Sequence, residues 1–338
     1  MLLNYIFIGD IKVMSTIKIQ RAYCVELDEI VSIDTARREY FSLLPNRRIR
    51  FNFLCSDQLC RFHNENGVRV TGVNYNKLCE EKNDGGRPVQ AAHYRANDRH
   101  HPDCEWSLGS INENVLEQQK NETNDDFYQR KLRYKLNHFI DEFSPESDKD
   151  EVSKSNDKDH QTKESKGSVR EHNNNVLNKA TTPSKTVTSV LSRLVETWSE
   201  AKSILIKEEF NRLILNVKGI GRVPLYQYFK QIQYFDHQRH IGVIYGGAEL
   251  INRYGKGFKF RFYDKVNEKL AYLYCDKKIM ESYRYHRYIE SILSLDCHYF
   301  KVYFLDPKIT QKDGYVTYEL KSLKNIHIVA INIADKNK

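Results

Sequence analysis

The 338-residue chain has little of what marks the specialised protein classes. It holds seven cysteines. That number is odd and too small for a disulfide scaffold, so they read as core thiols or metal ligands in a reducing compartment. No apolar run approaches the roughly 20 residues that cross a bilayer. The longest, Leu2 to Ile8, has no basic flank, is followed by Asp10 and lacks a small-residue cleavage site. Neither a transmembrane helix nor a signal peptide is expected there. Residues 1–14 read as an upstream-start extension, and the expected location is cytoplasmic with no membrane partner. There is no glycine-rich phosphate loop and no nucleophile elbow. Gly219-x-Gly221 and Gly255-Lys256-Gly257 are too short for phosphate loops and read as strand-end turns.

What is present suffices for two domains: 40% of residues are hydrophobic and 29% charged. The stretch 144–185 is mostly Ser, Asn, Asp, Lys, Glu and Thr, and no aromatic occurs between Phe143 and Trp198. Such a segment buries too little apolar surface to offset the ordering of its backbone. It reads as a disordered linker between a module at 15–143 and another at 186–338. Charge is divided unevenly. Residues 1–140 carry 20 Lys+Arg against 19 Asp+Glu, 141–185 carry 8 against 10, and 186–338 carry 25 against 16. The excess thus sits entirely in the third part, which also holds 15 of the 22 tyrosines. Cations for phosphate and π faces for bases are what a nucleic-acid surface requires.

In the first module, Arg21 to Ile33 reads as a hairpin, Ile49 to Leu54 and Val68 to Val73 as strands, and Phe127 to Ile140 as an amphipathic helix. The other face of that helix is basic, with Arg130, Lys131, Arg133 and Lys135. After the linker, Val190, Leu191, Leu194, Val195, Trp198, Ala201 and Leu205 give the stripe of a buried helix capped by Thr188 or Ser189. Phe210 to Val217 has strand spacing. Strands then follow at Ile241 to Tyr245, ended by a turn at Gly246-Gly247, at Phe258 to Tyr263 and at Leu270 to Cys275. A helix spans Met280 to Leu295, and strands return at Phe300 to Leu305 and Tyr315 to Leu320. Three strands, a helix and two strands is the chain order of an OB-fold. The expected class is α+β: a zinc-ribbon-like β module, the linker, and an OB-like β-barrel preceded by helices.

Cys55-Ser-Asp-Gln-Leu-Cys60 is followed by Ala92-His93-Tyr94-Arg95 and then by Arg99-His100-His101-Pro102-Asp103-Cys104. Zinc takes four soft or borderline ligands, usually as two close pairs from two turns. Cys55 with Cys60 makes one pair and His101 with Cys104 the other, with His93 and His100 as rival donors. No general-base glutamate accompanies them, so the expected Zn²⁺ is structural. Cys24, Cys275 and Cys297 read as core residues.

The order of these parts resembles the N-terminal zinc module of the CoiA-like competence protein family, over about residues 20–106. The likeness rests on the Ala22-Tyr23 strand, Phe51-Asn52-Phe53-Leu54-Cys55, a β segment, Ala92-His93-Tyr94-Arg95 and a closing cysteine. That family often has a second histidine three residues after the first. Here the position is Ala96, and His100 or His101 must stand in. The resemblance implies a link to DNA uptake. The family's restriction-nuclease-like domain has no counterpart here, because the basic helix and the linker take its place.

The leading function is therefore a non-catalytic, zinc-containing protein that binds single-stranded DNA or RNA in a bacterial cytoplasm, in DNA processing or defence. An alternating strand buries one face only. Phe258, Phe260 and Phe262 then fill the interior, and Lys259, Arg261 and Tyr263 face outward. Tyr272 or Tyr274 joins them from the next strand, and Lys301 with Tyr303 from the fourth. One alternative is a metal-dependent nuclease using Asp306 or Asp313 with Glu319-Leu320-Lys321. Another is a protein–protein adaptor.

Overall fold

The computed structural model describes residues 19–62, 67–78, 92–104, 106, 118, 122–136, 139–145, 187–236 and 239–331. The extension at 1–14 and the linker from residue 146 onward lie outside them. The chain divides into two compact units, Met1–Gln119 and Lys120–Lys338.

The first unit is a small sheet with two helices. Its elements are β1 (Arg21–Cys24), β2 (Glu29–Ser32), α1 (Ile33–Ser42), β3 (Phe53–Cys55), α2 (Gln58–Arg61), β4 (Arg69–Val73) and β5 (His93–Ala96). The strands lie in the order β2-β1-β3-β4-β5, all antiparallel. The β1–β2 hairpin turns through Asp28, which takes a positive φ. Ser32 caps α1 by accepting from the Thr35 amide at 3.1 Å, the expected role of a short hydroxyl residue at a helix start. Inward residues of alternate strands build an aromatic core, where Phe53 meets Tyr94 at 5.1 Å and Tyr75 at 5.3 Å. Gly72 lies on the same side, and a Cβ there would meet Phe53 at 2.6 Å.

The second unit begins with α3 (Asn124–Tyr134), capped by Thr123, and β6 (Glu142–Phe143). It continues with β7 (Val187–Thr188), α4 (Leu191–Ile204), α5 (Lys207–Arg212), β8 (Ile214–Val217), β9 (Gly221–Pro224), α6 (Leu225–Tyr228) and β10 (Phe229–Gln231). After these come β11 (Val243–Tyr254), β12 (Gly257–Phe262), β13 (Leu270–Cys275), α7 (Lys277–Ser282) and α8 (His286–Leu293). The last strands are β14 (Tyr299–Phe304), β15 (Lys308–Lys312), β16 (Tyr315–Glu319) and β17 (Ile326–Ile331). Among the described residues no helix is long and apolar enough to cross a membrane.

Helix α3 does not close the first module as the sequence suggested. Its Leu132, together with Leu136 just beyond, is buried in one cluster with Leu194, Trp198, Leu215 and Tyr303. An apolar helical stripe needs a partner face, and the shared core of the second unit supplies it, with Gln129 also bonded to the Arg212 carbonyl and the Ile214 amide. The basic side of α3 is largely neutralised, with Arg130 on Glu122 at 2.8 Å and Arg133 on Asp141 at 3.4 Å.

The OB-like barrel is not formed. The large sheet is eight-stranded and open, running β15-β16-β13-β12-β11-β14-β17, with β10 added in parallel to the first residues of β11. Its outer strands β15 and β17 are not paired to each other. Three readings of the sequence differ from the structure here. Gly246-Gly247 does not end a strand, because β11 runs through both residues for 12 residues. These glycines mark close approach instead: a Cβ on Gly246 would meet the Phe262 ring at 2.9 Å, and one on Gly247 the Tyr299 hydroxyl at 2.2 Å. A glycine inside a strand commonly has this meaning. The helix expected at Met280 to Leu295 is two helices, α7 and α8, lying against β12 and β17. The strand expected from Phe210 is a short helix, α5, followed by β8.

Candidate metal centre and aromatic sheet face

Cys55 ends β3, Cys60 sits on α2, and Cys104 closes the turn after His101. Asp57 caps α2 by accepting from the Leu59 amide at 2.8 Å, which sets Cys60 one short turn from Cys55. The Cys55 amide donates to Val68 and the Val68 amide to the Cys60 carbonyl, both at 2.9 Å. The Cys104 amide donates to the His101 carbonyl at 2.9 Å. These constraints gather Cys55, Cys60, His100 and Cys104, whose ligand atoms all lie within 4.8 Å of one another. His100 Nδ1 is 3.3 Å from Cys55 Sγ, 3.6 Å from Cys60 Sγ and 3.4 Å from Cys104 Sγ, and Cys55 and Cys104 Sγ are 3.6 Å apart. All three cysteines are buried.

The chemistry of the donor set fits a metal ion. Without a cation, burial pushes the Cys55 thiol up to about 12 and raises that of Cys104 as well, while it lowers the imidazole of His100. His100 Nε2 is buried without a hydrogen-bond partner, and Nδ1 faces the sulfurs. A bound divalent ion would remove the penalty on the thiolates. Amides already point at the sulfurs: His101 N to Cys60 Sγ at 3.2 Å and Trp106 N to Cys104 Sγ at 3.4 Å. Such outer contacts orient metal thiolates.

Of the predicted ligands, Cys55, Cys60 and Cys104 come together, and His93 and His101 do not join them. The fourth position goes to His100. The His101 ring turns the other way, where its Nδ1 accepts from the Asp103 amide at 3.2 Å. His93 precedes Tyr94 on β5, and Tyr94 faces the core against Phe53. Alternation therefore sends His93 to the opposite face. Cys24 and Cys275 are buried, with thiols pushed up by burial to about 11 and about 12. Cys297 is half-buried beside the Tyr299 carbonyl at 3.0 Å.

On the large sheet, the Phe face and the polar face separate as the alternation predicts. Phe258 and Phe260 are fully buried and Phe262 is nearly so. Register places Lys259 opposite Tyr274 and Arg261 opposite Tyr272. Tyr272 and Tyr274 are two residues apart, so both face outward and no choice between them arises. The same face continues through Tyr315 and Thr317 on β16 and through Lys308, Thr310 and Lys312 on β15. Lys259 Nζ lies 4.2 Å from the Tyr272 ring centre, and Arg261 pairs with Glu249. Tyr254, Lys259, Tyr274 and Thr317 line a shallow pocket of about 190 Å³. Tyr263 is 53% exposed and stacks on Tyr299 with ring centres 5.5 Å apart and planes 6° from parallel. Sequence reasoning missed Tyr299, Tyr254 and Tyr315. The glycine at 247 was the available signal for Tyr299. Gly247→Ala is expected to push Tyr299 off the sheet and cost about 1–3 kcal/mol as overpacking, read as a lower melting temperature and altered near-ultraviolet tyrosine dichroism.

Tyr303 and Lys301 do not belong to the exposed part of this face. Tyr303 is buried under α4, with Trp198 at 6.1 Å and Tyr245 at 5.7 Å. Lys301 is half-buried beside it. Of the residues considered for a nuclease, Asp306 pairs with Lys321 at 2.9 Å and Glu319 with Lys308 at 3.5 Å, and among the described residues they form no metal-holding group. Among the described residues the cysteine–histidine group is the cluster that can hold a metal. No protein family, characterised protein or solved structure matches this chain.

Proposed function

We propose that the protein binds single-stranded nucleic acid on the open face of its large sheet, without catalysis, and carries one structural zinc in its first unit. The observation that carries the first part is the interleaving of Tyr254, Tyr263, Tyr272, Tyr274 and Tyr315 with Lys259, Arg261, Lys308 and Lys312 on one sheet face, where Glu249 and Glu319 pair with Arg261 and Lys308. Phenol rings offer stacking surfaces that tolerate any base, and the cations offset phosphate charge. Zinc is supported by size and softness. A tetrahedral zinc site has sulfurs ~3.8 Å apart and sulfur–nitrogen edges of ~3.5 Å, from bond lengths of ~2.3 and ~2.0 Å. The 3.3–3.6 Å separations found here fall close to those edges.

Titration of the full chain with labelled single-stranded oligonucleotides across a salt series tests the binding face. Replacing Lys259 and Arg261 by Ala is expected to flatten the logarithmic salt dependence by about one to two units, at ~0.7 per phosphate. Tyr274→Ala is expected to cost about 1–3 kcal/mol of binding if a base stacks in the pocket, with melting unchanged. A folded protein that ignores every oligonucleotide at low salt refutes the reading.

A further inference from the structure

The polar face of the sheet does not stop at Arg261. Arg261 lies opposite Glu249, and Lys301 lies opposite Gly247. Glu249 and Gly247 are two residues apart on β11, so Lys301 shares the face of Arg261. Its ammonium lies 5.5 Å from the Trp198 ring centre, 5.6 Å from that of Tyr245 and 5.4 Å from that of Tyr303. Lys202, in the last turn of α4, lies 5.1 Å from the same Trp198 ring. Phe229 stacks on Trp198 with centres 4.8 Å apart and planes 18° from parallel. That contact occupies one indole face, and both ammoniums approach the rest of the ring. Among the described residues neither lysine has a carboxylate partner. Burial and the nearby Lys202 both lower the pKa of Lys301. The rings around Lys301 offset part of the desolvation of its ammonium, and an anion shared with Lys202 would offset the repulsion between the two.

We propose that Lys202 and Lys301 form a seat for one phosphate of the bound strand, at the edge of the Trp198 indole, an inference that rests on the open-face reading above. Two ammoniums, each a point charge with three rotatable donors, suit the several oxygens of a phosphate. The seat extends the path of the strand past Arg261 and the exposed Tyr263 toward α4.

The test is the salt dependence of oligonucleotide binding by the full chain carrying Lys202→Gln and Lys301→Met. Methionine keeps the apolar stem within the aromatic cage. The expected result is a slope flatter by ~0.7, the value of one phosphate contact on a single strand, added to the loss from Lys259→Ala/Arg261→Ala. A slope unchanged in this variant, where Lys259→Ala/Arg261→Ala still flattens it, overturns the seat and leaves the open-face reading standing. Absence of any oligonucleotide binding overturns both. If inorganic phosphate then shifts Trp198 emission in the parent and not in the variant, the lysines hold a free anion and not a strand, which also overturns the proposal. Should Lys301→Met fail to fold, Lys202→Gln alone, at an exposed helix position, is expected to flatten the slope in the same direction, and an unchanged slope overturns the seat.

Discussion

Removing the metal with a chelator, or replacing Cys104 by Ser, is expected to unfold the first unit and leave the second folded. Purified, reduced protein should contain one zinc per chain, and Cys55→Ser, Cys60→Ser, Cys104→Ser and His100→Ala should each lose it. The scale of the effect follows from two magnitudes. Structural zinc contributes about 10–16 kcal/mol of apparent binding energy in small zinc modules. A whole domain is stable by only about 5–15 kcal/mol. The first unit has strands of three to five residues. Its three candidate cysteines belong to the same buried cluster as Phe53, Val70 and Tyr94. Losing the cation would leave three desolvated sulfurs and one imidazole inside that cluster. The two tryptophans separate the outcomes. Trp106 bonds Ser56 at 2.8 Å beside the candidate ligands, whereas Trp198 is stacked in the second unit. Loss of the metal should therefore add protease cleavage within 19–106 and leave the core of the second unit, from α3 as well as 187–331, protected. Cys275→Ser, in the second unit, should keep its zinc. Zinc-free protein that is folded throughout would end the assignment.

The legible parts of this fold were those that one element decides alone. Phe258, Phe260 and Phe262 alternate with Lys259, Arg261 and Tyr263 over a single strand, so the buried face could be read without knowing the partner strands. The Cys55–Cys60 spacing was visible for the same reason. The choice between His93, His100 and His101 was not, because the 100–104 turn decides it through the Asp103 amide that holds the His101 ring away. β15 escaped notice because Lys308-Ile309-Thr310-Gln311-Lys312 is an edge strand with little apolar alternation. The period argument put Tyr303 and Lys301 on the same face as Arg261, and the pairing agrees. No local pattern could reveal that α4, about 100 residues earlier in the chain, covers that end of the face. The open sheet was misread as a barrel for a related reason. Chain order specifies which strands exist, and closure depends on which edges meet.

Phe260→Ala is expected to destabilise the second unit by about 3–5 kcal/mol, since a fully buried phenyl leaves both lost transfer energy and a cavity. Phe260 is 0% exposed and packs edge-on against Phe258 at 5.6 Å and Phe300 at 5.3 Å. For a unit of this size each kcal/mol lowers the melting temperature by about 2–4 °C, so a shift of about 6–20 °C should be read in the second-unit transition. Arg261→Ala, the next residue on β12, removes a side chain that is 49% exposed and paired with Glu249. An ion pair so placed contributes about 0–1 kcal/mol, and the melt should hardly move. Tyr303 supplies the third arm. Its ring is 2% exposed, so Tyr303→Ala should melt like Phe260→Ala, whereas Tyr263→Ala should melt nearly like the parent. Melting curves for Phe260→Ala and Arg261→Ala that shift equally would mean that β12 does not divide into a buried and an open face. The binding face would then lose its structural basis along with the core assignment.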